Sequence, residues 1–362
     1  MGNRLKLALI GSVAAFVLAP MAHANDDVMA RIEAMEAEIA ALKAELAAER
    51  SARQATDASI VRLESAPVAV QAAAPPSAAP DGFTVKGTTL AWGGFIDFDA
   101  HLTDVANGAN FGSTSIARDF YIPGATPVGG TGDDPAMDFT AKATRFYLTA
   151  SRMIDGDKFG ARLEMDFLGS GQGDERVSNS YSPRLRRAYL TYNNWLLGQE
   201  WSTFQDLSSI PDSASFLVAS DGMVFVRQAM VRYTNGPWQF ALENGNTTIT
   251  TAAGSRLAQD TNALPDAIVR YNGKYEGGTW SLSGLVRNLD ADPVGADSKL
   301  GVGVSFAGKN TFGNGGDIRY SLTAGQGVGR YVGLNSVNAL GVTAGGDVEA
   351  IPTLSGLIAV RI

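Results

Sequence analysis

No cysteine occurs among the 362 residues, which excludes disulfides and any thiolate metal site. Histidine is almost as scarce. Only His101 lies beyond residue 24, so a histidine-dependent catalytic triad has one available base. After residue 24 there is no run of 18 apolar residues, and hence no membrane-spanning helix in the sequence. Positive charge is not in excess: the net charge of −8 argues against nucleic acid as a partner. If such a chain enters a membrane, it does so as strands closed into a barrel, because every backbone polar group in lipid needs a partner.

What is present begins with an export signal. Arg4 and Lys6 precede an apolar run of 14 residues, Leu7 to Pro20, and Ala22-His23-Ala24 forms a cleavage site. Residues 1–24 read as a signal peptide. Residues 25–64 read as an α-helical coiled coil. Ile32, Ile39, Leu46 and Ile60 share one seven-residue spacing, while Val28, Met35, Leu42 and Leu63 share the other. A single helix of this kind leaves its seam bare, so the coil predicts self-association, and isoleucine at one seam position permits a trimer. Residues 65–82, SAPVAVQAAAPPSAAPDG, are a Pro/Ala-rich linker, extended and semi-rigid.

From residue 83 to 362 the pattern changes to strands. Glycine makes up about 11% of the chain, against an average of roughly 7%. About twelve strands alternate with period two. In the stretch 157–167, Phe159, Ala161, Leu163, Met165 and Phe167 fall on one side, and Arg162, Glu164 and Asp166 on the other. The first strand is predicted to run unbroken from Thr88 to Leu102, with Asp97, Asp99 and His101 inward. In Pro183–Phe204, Arg187, Tyr189 and Thr191 face inward, Ala188, Leu190 and Tyr192 outward, and Asn193-Asn194 turns the hairpin. The connections alternate strictly between short and long. Asp155-Gly156, Asn193-Asn194, Asn235-Gly236, Gly277-Gly278 and 310–316 are short; 103–137, 169–182, 205–222, 244–263, 289–297 and 325–352 are long. Tyr192, Trp195, Trp238 and Trp280 sit beside short turns, as an interfacial girdle requires. The fold class is therefore an all-β transmembrane antiparallel β-barrel preceded by a coiled coil.

Several long motifs in order carry a family resemblance: GFTVKGTTLAWGGFIDFDAHLTD (82–104), RDFYIPGATPVGG (118–130), KATRFYLTASR (142–152), LEMDFLGS (163–170), ERVSNSYSPRLRRAYLTYNNWLLGQEWSTFQ (175–205) and VFVRQAMVRYTNGPWQFALEN (224–244). The chain resembles the DcaP-like trimeric porins. That resemblance implies a homotrimeric bacterial outer-membrane channel of about sixteen strands, favouring anionic solutes, dicarboxylic acids among them. The coil is then periplasmic, with peptidoglycan a further candidate partner. The sequence departs from the pattern at its end, Ala359-Val360-Arg361-Ile362, where barrels usually finish in an aromatic residue. The expectation is a chain truncated by several strands.

The region after residue 83 holds sixteen arginines and six lysines. Arginine presents a planar fork that fits carboxylates. On the predicted register Arg145, Arg162, Arg187, Arg232, Arg270, Arg287, Arg319 and Arg361 face inward, with Tyr147, Tyr189 and Phe95. A ring of inward arginines selects anions. The connection 205–222 carries Asp206, Asp212 and Asp221 and is predicted to fold inward as a constriction loop, its acids opposing the arginine wall. The competing role for each arginine is structural pairing with Glu164, Asp166, Glu200 or Glu243. No cofactor, metal or catalytic site is expected. Two other functions compete with an anion channel: a trimeric sugar-type porin using the inward aromatics, and a structural tether between outer membrane and cell wall.

Overall fold

The computed structural model describes residues 82–105, 116–119, 122, 135–170, 173, 175–213, 216–217, 220–259, 262–313 and 315–362. All fall in the second of the chain's two units, Pro67–Ile362. The predicted signal peptide, the coiled coil and the linker up to residue 81 lie outside the described residues.

Nineteen strands follow in order: β1 (Phe83–Val85), β2 (Thr88–Phe95), β3 (Asp99–Thr103), β4 (Ala136–Thr140), β5 (Arg145–Ile154), β6 (Asp157–Asp166), β7 (Arg184–Tyr192), β8 (Trp195–Trp201), β9 (Arg227–Asn235), β10 (Trp238–Glu243), β11 (Thr247–Thr250), β12 (Arg256–Gln259), β13 (Asp266–Tyr275), β14 (Gly278–Leu289), β15 (Lys299–Phe312), β16 (Gly316–Gln326), β17 (Leu340–Val342), β18 (Val348–Ala350) and β19 (Pro352–Arg361). Thirteen form one antiparallel sheet in the order β1-β2-β5-β6-β7-β8-β9-β10-β13-β14-β15-β16-β19. Its twelve members after β1 match the count of about twelve strands predicted, the first of them shorter than expected. Among the described residues no helix is long and apolar enough to cross a membrane, which leaves open a crossing by strands.

The burial pattern is the inverse of that in a water-soluble sheet. Leu190, Leu242, Leu354 and Ile358 are exposed, the last at 76%. On the opposite face Glu164, Asp166, Glu200, Gln239 and Asp266 are buried, Asp166 completely. The face that is bare is apolar, and the face that is covered is polar and charged. This is the arrangement of a sheet whose outside meets lipid. An aromatic belt runs along the short-turn end of the bare face. Phe159 meets Tyr192, and Trp195 meets Tyr233 at 4.8 Å. Trp238, Tyr271, Trp280, Phe306 and Tyr320 then continue it, ring to ring, at 4.9 to 6.1 Å.

Turn chemistry fixes the short end. Asp155 and Gly156 both take positive φ, 52° and 91°, the backbone twist a two-residue hairpin needs. Asn193, at φ 47°, closes the next hairpin, and its side chain accepts a hydrogen bond from the Lys158 amide of the preceding strand pair.

Three expectations need correction. The first strand is not continuous. Thr144 Oγ1 accepts from the Asp97 amide at 3.1 Å and donates to the Asp97 carbonyl, so a side chain replaces the ladder there. Beyond this break, β3 leaves the wall and pairs with β4 in a separate ribbon. Second, the sheet does not close on itself. β1 folds back on β2, with Phe83 opposite Leu90, and takes the edge that a last strand would need; β19 pairs with β16 alone. Third, two long connections are not simple loops. β11, β12, β17 and β18 form a four-stranded cap, in which β11 and β17 run parallel. Its core holds Ile249, Leu289, Ala339 and Leu340, all fully buried.

Candidate functional site

The covered face is organised by a loop and a bulge. The loop leaves β8 at Ser202 and follows the covered wall. Phe204 packs with Val224, Val328 and Tyr331 on Ala241, Ile268 and Leu285 of β10, β13 and β14. Burying a side chain the size of Phe204 stabilises by about 1.5–3 kcal/mol. Arginines then staple the loop to the wall. Arg232 donates to Thr203 Oγ1 at 2.8 Å, and Arg270 to the Gln205 carbonyl. Arg319 donates to the Ile210 carbonyl and meets Asp212 at 3.1 Å, as does Arg361. Asp206 lies on Arg270 at 3.2 Å and accepts from Ser281 and Ser208. Burial pushes the Asp206 carboxyl up, but Arg270 and these hydroxyls outweigh it and hold it below its usual range.

The predicted constriction loop thus runs along the covered face, and two of its acids meet arginines of that wall: Asp206 lies on Arg270, and Asp212 on Arg319 and Arg361. Asp206 and Asp212 turn back to the strands behind the loop and are neutralised there. Asp221 is exposed, and its carbonyl accepts from Ser355. Arg287 has a purely internal role. It is buried, pairs with Asp266 at 2.9 Å, and donates to the carbonyls of Gly327 and Asn246. Tyr331 donates to the same carboxylate at 2.7 Å.

The bulge lies in β7. The pairing with β6 slips between Glu164 and Met165, so Glu164 faces Arg187 while Met165 faces Leu185. The unpaired residue is Arg186. Alternation alone would send Arg184 and Arg186 to the bare face. The slip instead brings both to the covered one, beside Arg187. Arg184 grips Asp166 with two bonds of 2.8 Å, and Arg186 bridges Glu164 and Asp166 at 3.0 and 2.8 Å. Arg187 takes Glu200, and Arg162 takes Glu164 at 2.7 Å.

Around these strands Arg145, Arg162, Arg184, Arg186, Arg187 and Arg227 share three carboxylates, Glu164, Asp166 and Glu200. Two of the six are left over. Arg145 comes no closer than 4.0 Å to Glu164, and its Nε is buried without a hydrogen-bond partner among the described residues. Arg227 Nη1 is likewise buried and unpartnered. Its guanidinium lies over the Trp201 ring at 4.8 Å. Both line a cavity of about 610 Å³, with Arg184, Arg186 and Arg330. Burial also holds the Arg330 guanidinium, on the turn after β16, below its ordinary range. The remaining walls include Ile210, Phe216, Leu217, Phe225 and Leu334 beside Trp201, with the polar Gln199 and Asn335.

Of the arginines singled out in the sequence, only Arg145 lines this cavity. Arg162, Arg187, Arg232, Arg270, Arg287 and Arg319 are on the covered face but bound to carboxylates or loop carbonyls. The predicted inward aromatics carry cations on their faces. Arg162 lies over Tyr147 at 4.1 Å, Arg187 over Tyr189 at 5.5 Å and Arg145 over Phe95 at 5.1 Å. Arg184, Arg186 and Arg227 escaped sequence reasoning. The run Arg184-Leu185-Arg186-Arg187 was the available signal, since two adjacent arginines cannot both keep strict alternation without one facing lipid.

No protein-family model matches this chain, and no curated protein sequence does. Solved structures do. The crystal structure of the outer membrane channel DcaP of Acinetobacter baumannii is similar at 24% identity, with a TM-score of 0.62, over 77% of this chain and 75% of that one. Two weaker likenesses are OmpT, an outer membrane protein of Vibrio cholerae (10% identity, TM-score 0.34, 68% and 79% covered), and an anion-selective porin from Comamonas acidovorans (11%, 0.31, 66% and 79%). Neither of these two is close enough to argue from. The chain has the fold of the DcaP channel, which bears out the resemblance read from its motifs at the level of fold.

Proposed function

From a fold shared with an outer membrane channel, we propose that this chain is a porin for passive diffusion of small anionic solutes, dicarboxylic acids among them, across a bacterial outer membrane. The covered face is the lumen, and the bare apolar face with its aromatic belt meets lipid. The signal peptide directs export. The coiled coil stands in the periplasm and assembles three copies with the help of the barrel.

One observation carries the reading: Arg145 Nε and Arg227 Nη1 are buried with no hydrogen-bond partner among the described residues. An uncompensated buried charge costs several kcal/mol. A carboxylate entering the cavity relieves that cost with charge-assisted bonds of about 1.5–3 kcal/mol each, and leaves again because the site is reached from a hydrated lumen. The net charge of the chain is negative, so selectivity follows from this local excess of arginine and not from the whole protein. The test is the zero-current potential of protein extracted from outer membranes, in a planar bilayer under a potassium chloride gradient. A potential of the sign for chloride preference, with succinate reducing the current, supports the reading. A neutral or potassium-selective channel refutes it.

A further inference from the structure

The arginine cavity has two unlike sides. One side is cationic: Arg145, Arg184, Arg186 and Arg227 project from β5, β7 and β9. The rest of the lining is mostly apolar: Ile210, Phe216 and Leu217 from the stapled loop, Phe225 before β9, and Leu334 from the connection after β16, which also brings Arg330 and Asn335 to the cavity. This is a consequence of where the loop spends its charge. Asp206 and Asp212 are drawn to Arg270, Arg319 and Arg361 behind the loop, which leaves its hydrocarbon towards the arginines. Two guanidiniums approach the Phe216 ring, Arg145 at 5.4 Å and Arg186 at 5.6 Å. Trp201 meets Arg227 on one side and Phe225, edge to face at 5.0 Å, on another. At about 610 Å³ the space falls within the range of roughly 300–1,000 Å³ in which small organic molecules bind.

We propose that this cavity discriminates among anions of equal charge by their apolar body, and holds carboxylates that carry an aryl or hydrocarbon group over compact ones. The inference rests on the anion-channel reading and adds to it a rule of selection. A compact anion such as acetate meets the unpartnered guanidinium nitrogen but leaves the half-buried Ile210, Phe216 and Phe225 facing water. Benzoate places its carboxylate on Arg145 or Arg227 and its ring between Phe216 and Leu334. Removing that apolar surface from water is worth on the order of a tenfold gain in occupancy. Phosphate and chloride gain nothing from the same wall.

The experiment uses the full-length protein from outer membranes in a planar bilayer in potassium chloride. Sodium benzoate and sodium acetate are added in turn, and the concentration of each that halves the current is read. Benzoate is expected to act at about one tenth of the acetate concentration, and Phe216→Ala to bring the two together. Leu334→Ala gives the same readout should Phe216→Ala fail to assemble. Equal potency of benzoate and acetate in a wild-type channel that prefers chloride to potassium overturns the rule of selection alone. A wild-type channel without chloride preference overturns the underlying reading and the rule with it.

Discussion

Asp206 pairs with Arg270 at 3.2 Å on the wall side of its loop, turned away from the arginine cavity. The pair makes the loop a fixed part of the wall. It also explains why an acidic loop does not neutralise the cationic strands opposite. Asp206 is charged in the folded chain below the pH at which an ordinary carboxylate would protonate. A depressed value of this kind contributes anchoring at every pH above the ordinary carboxylate range near 3.9, and loses it as pH falls through the lowered value. Conductance set by the loop should therefore be steady from pH 7 to about pH 5 and rise only in stronger acid. Asp206→Asn should show the widened state already at pH 7, at a cost of about 1.5–3 kcal/mol. Single-channel conductance against pH checks both. An Asp206→Asn channel identical to wild type at pH 7 would count against the anchor.

Arg287 and Asp266 test stability instead of transport. Their pair is fully buried and ties the wall to the loops at Gly327 and Asn246. Arg287→Ala leaves Asp266 buried without its cation, a loss of about 3–5 kcal/mol. Tyr331→Phe removes one hydrogen bond to the same carboxylate and should cost about 1–3 kcal/mol. Thermal unfolding followed by circular dichroism should rank wild type above Tyr331→Phe above Arg287→Ala. The reverse order of the two variants would place the anchor elsewhere.

The arginines bound to carboxylates and the two with a buried nitrogen unpartnered among the described residues should behave differently. Arg162 and Arg187 neutralise Glu164 and Glu200. Replacing both by alanine leaves two buried carboxylates bare, so that variant should assemble poorly or turn towards cations. Replacing Arg145 and Arg227 by glutamine strands no carboxylate beyond the weak 4.0 Å contact with Glu164. That variant should assemble at the wild-type level, judged by heat-modifiable migration on gels.

Trp195, Trp238 and Trp280 belong to the belt, whereas Trp92 lies elsewhere on the bare face and Trp201 lines the cavity. In a Trp92→Phe/Trp201→Phe background, the remaining fluorescence should be quenched more strongly by lipids brominated near the headgroup than by lipids brominated mid-chain. Equal quenching at both depths would be inconsistent with an interfacial belt.

The twelve long strands of the wall were legible because each buries one face, and period two then leaves little freedom of register. The short turns were legible through Asp155-Gly156 and Asn193, whose side chains suit positive φ. What stayed hidden depends on contacts distant in sequence. The break after β2 is made by Thr144, 47 residues beyond Asp97. The cap joins β11 to β17 across about 90 residues, and nothing local to Thr247–Thr250 names that partner. The bulge at Arg186 adds one residue to a ladder, so alternation counted from Arg187 onward is right and alternation counted backward is wrong. Arg227 pairs with Trp201 at the very ends of β9 and β8, where strict alternation no longer governs direction. The direction of Asp206 could not be read at all, since Arg270 competes for it from another strand.

Selectivity is assigned to Arg145 and Arg227, whose buried Nε and Nη1 have no hydrogen-bond partner among the described residues. The measurement that tests this most directly is the zero-current potential of wild type and of Arg145→Gln/Arg227→Gln under the same potassium chloride gradient. Chloride preference is expected in the wild type and a potential near zero in the double variant. Chloride preference of equal size in both proteins would contradict it.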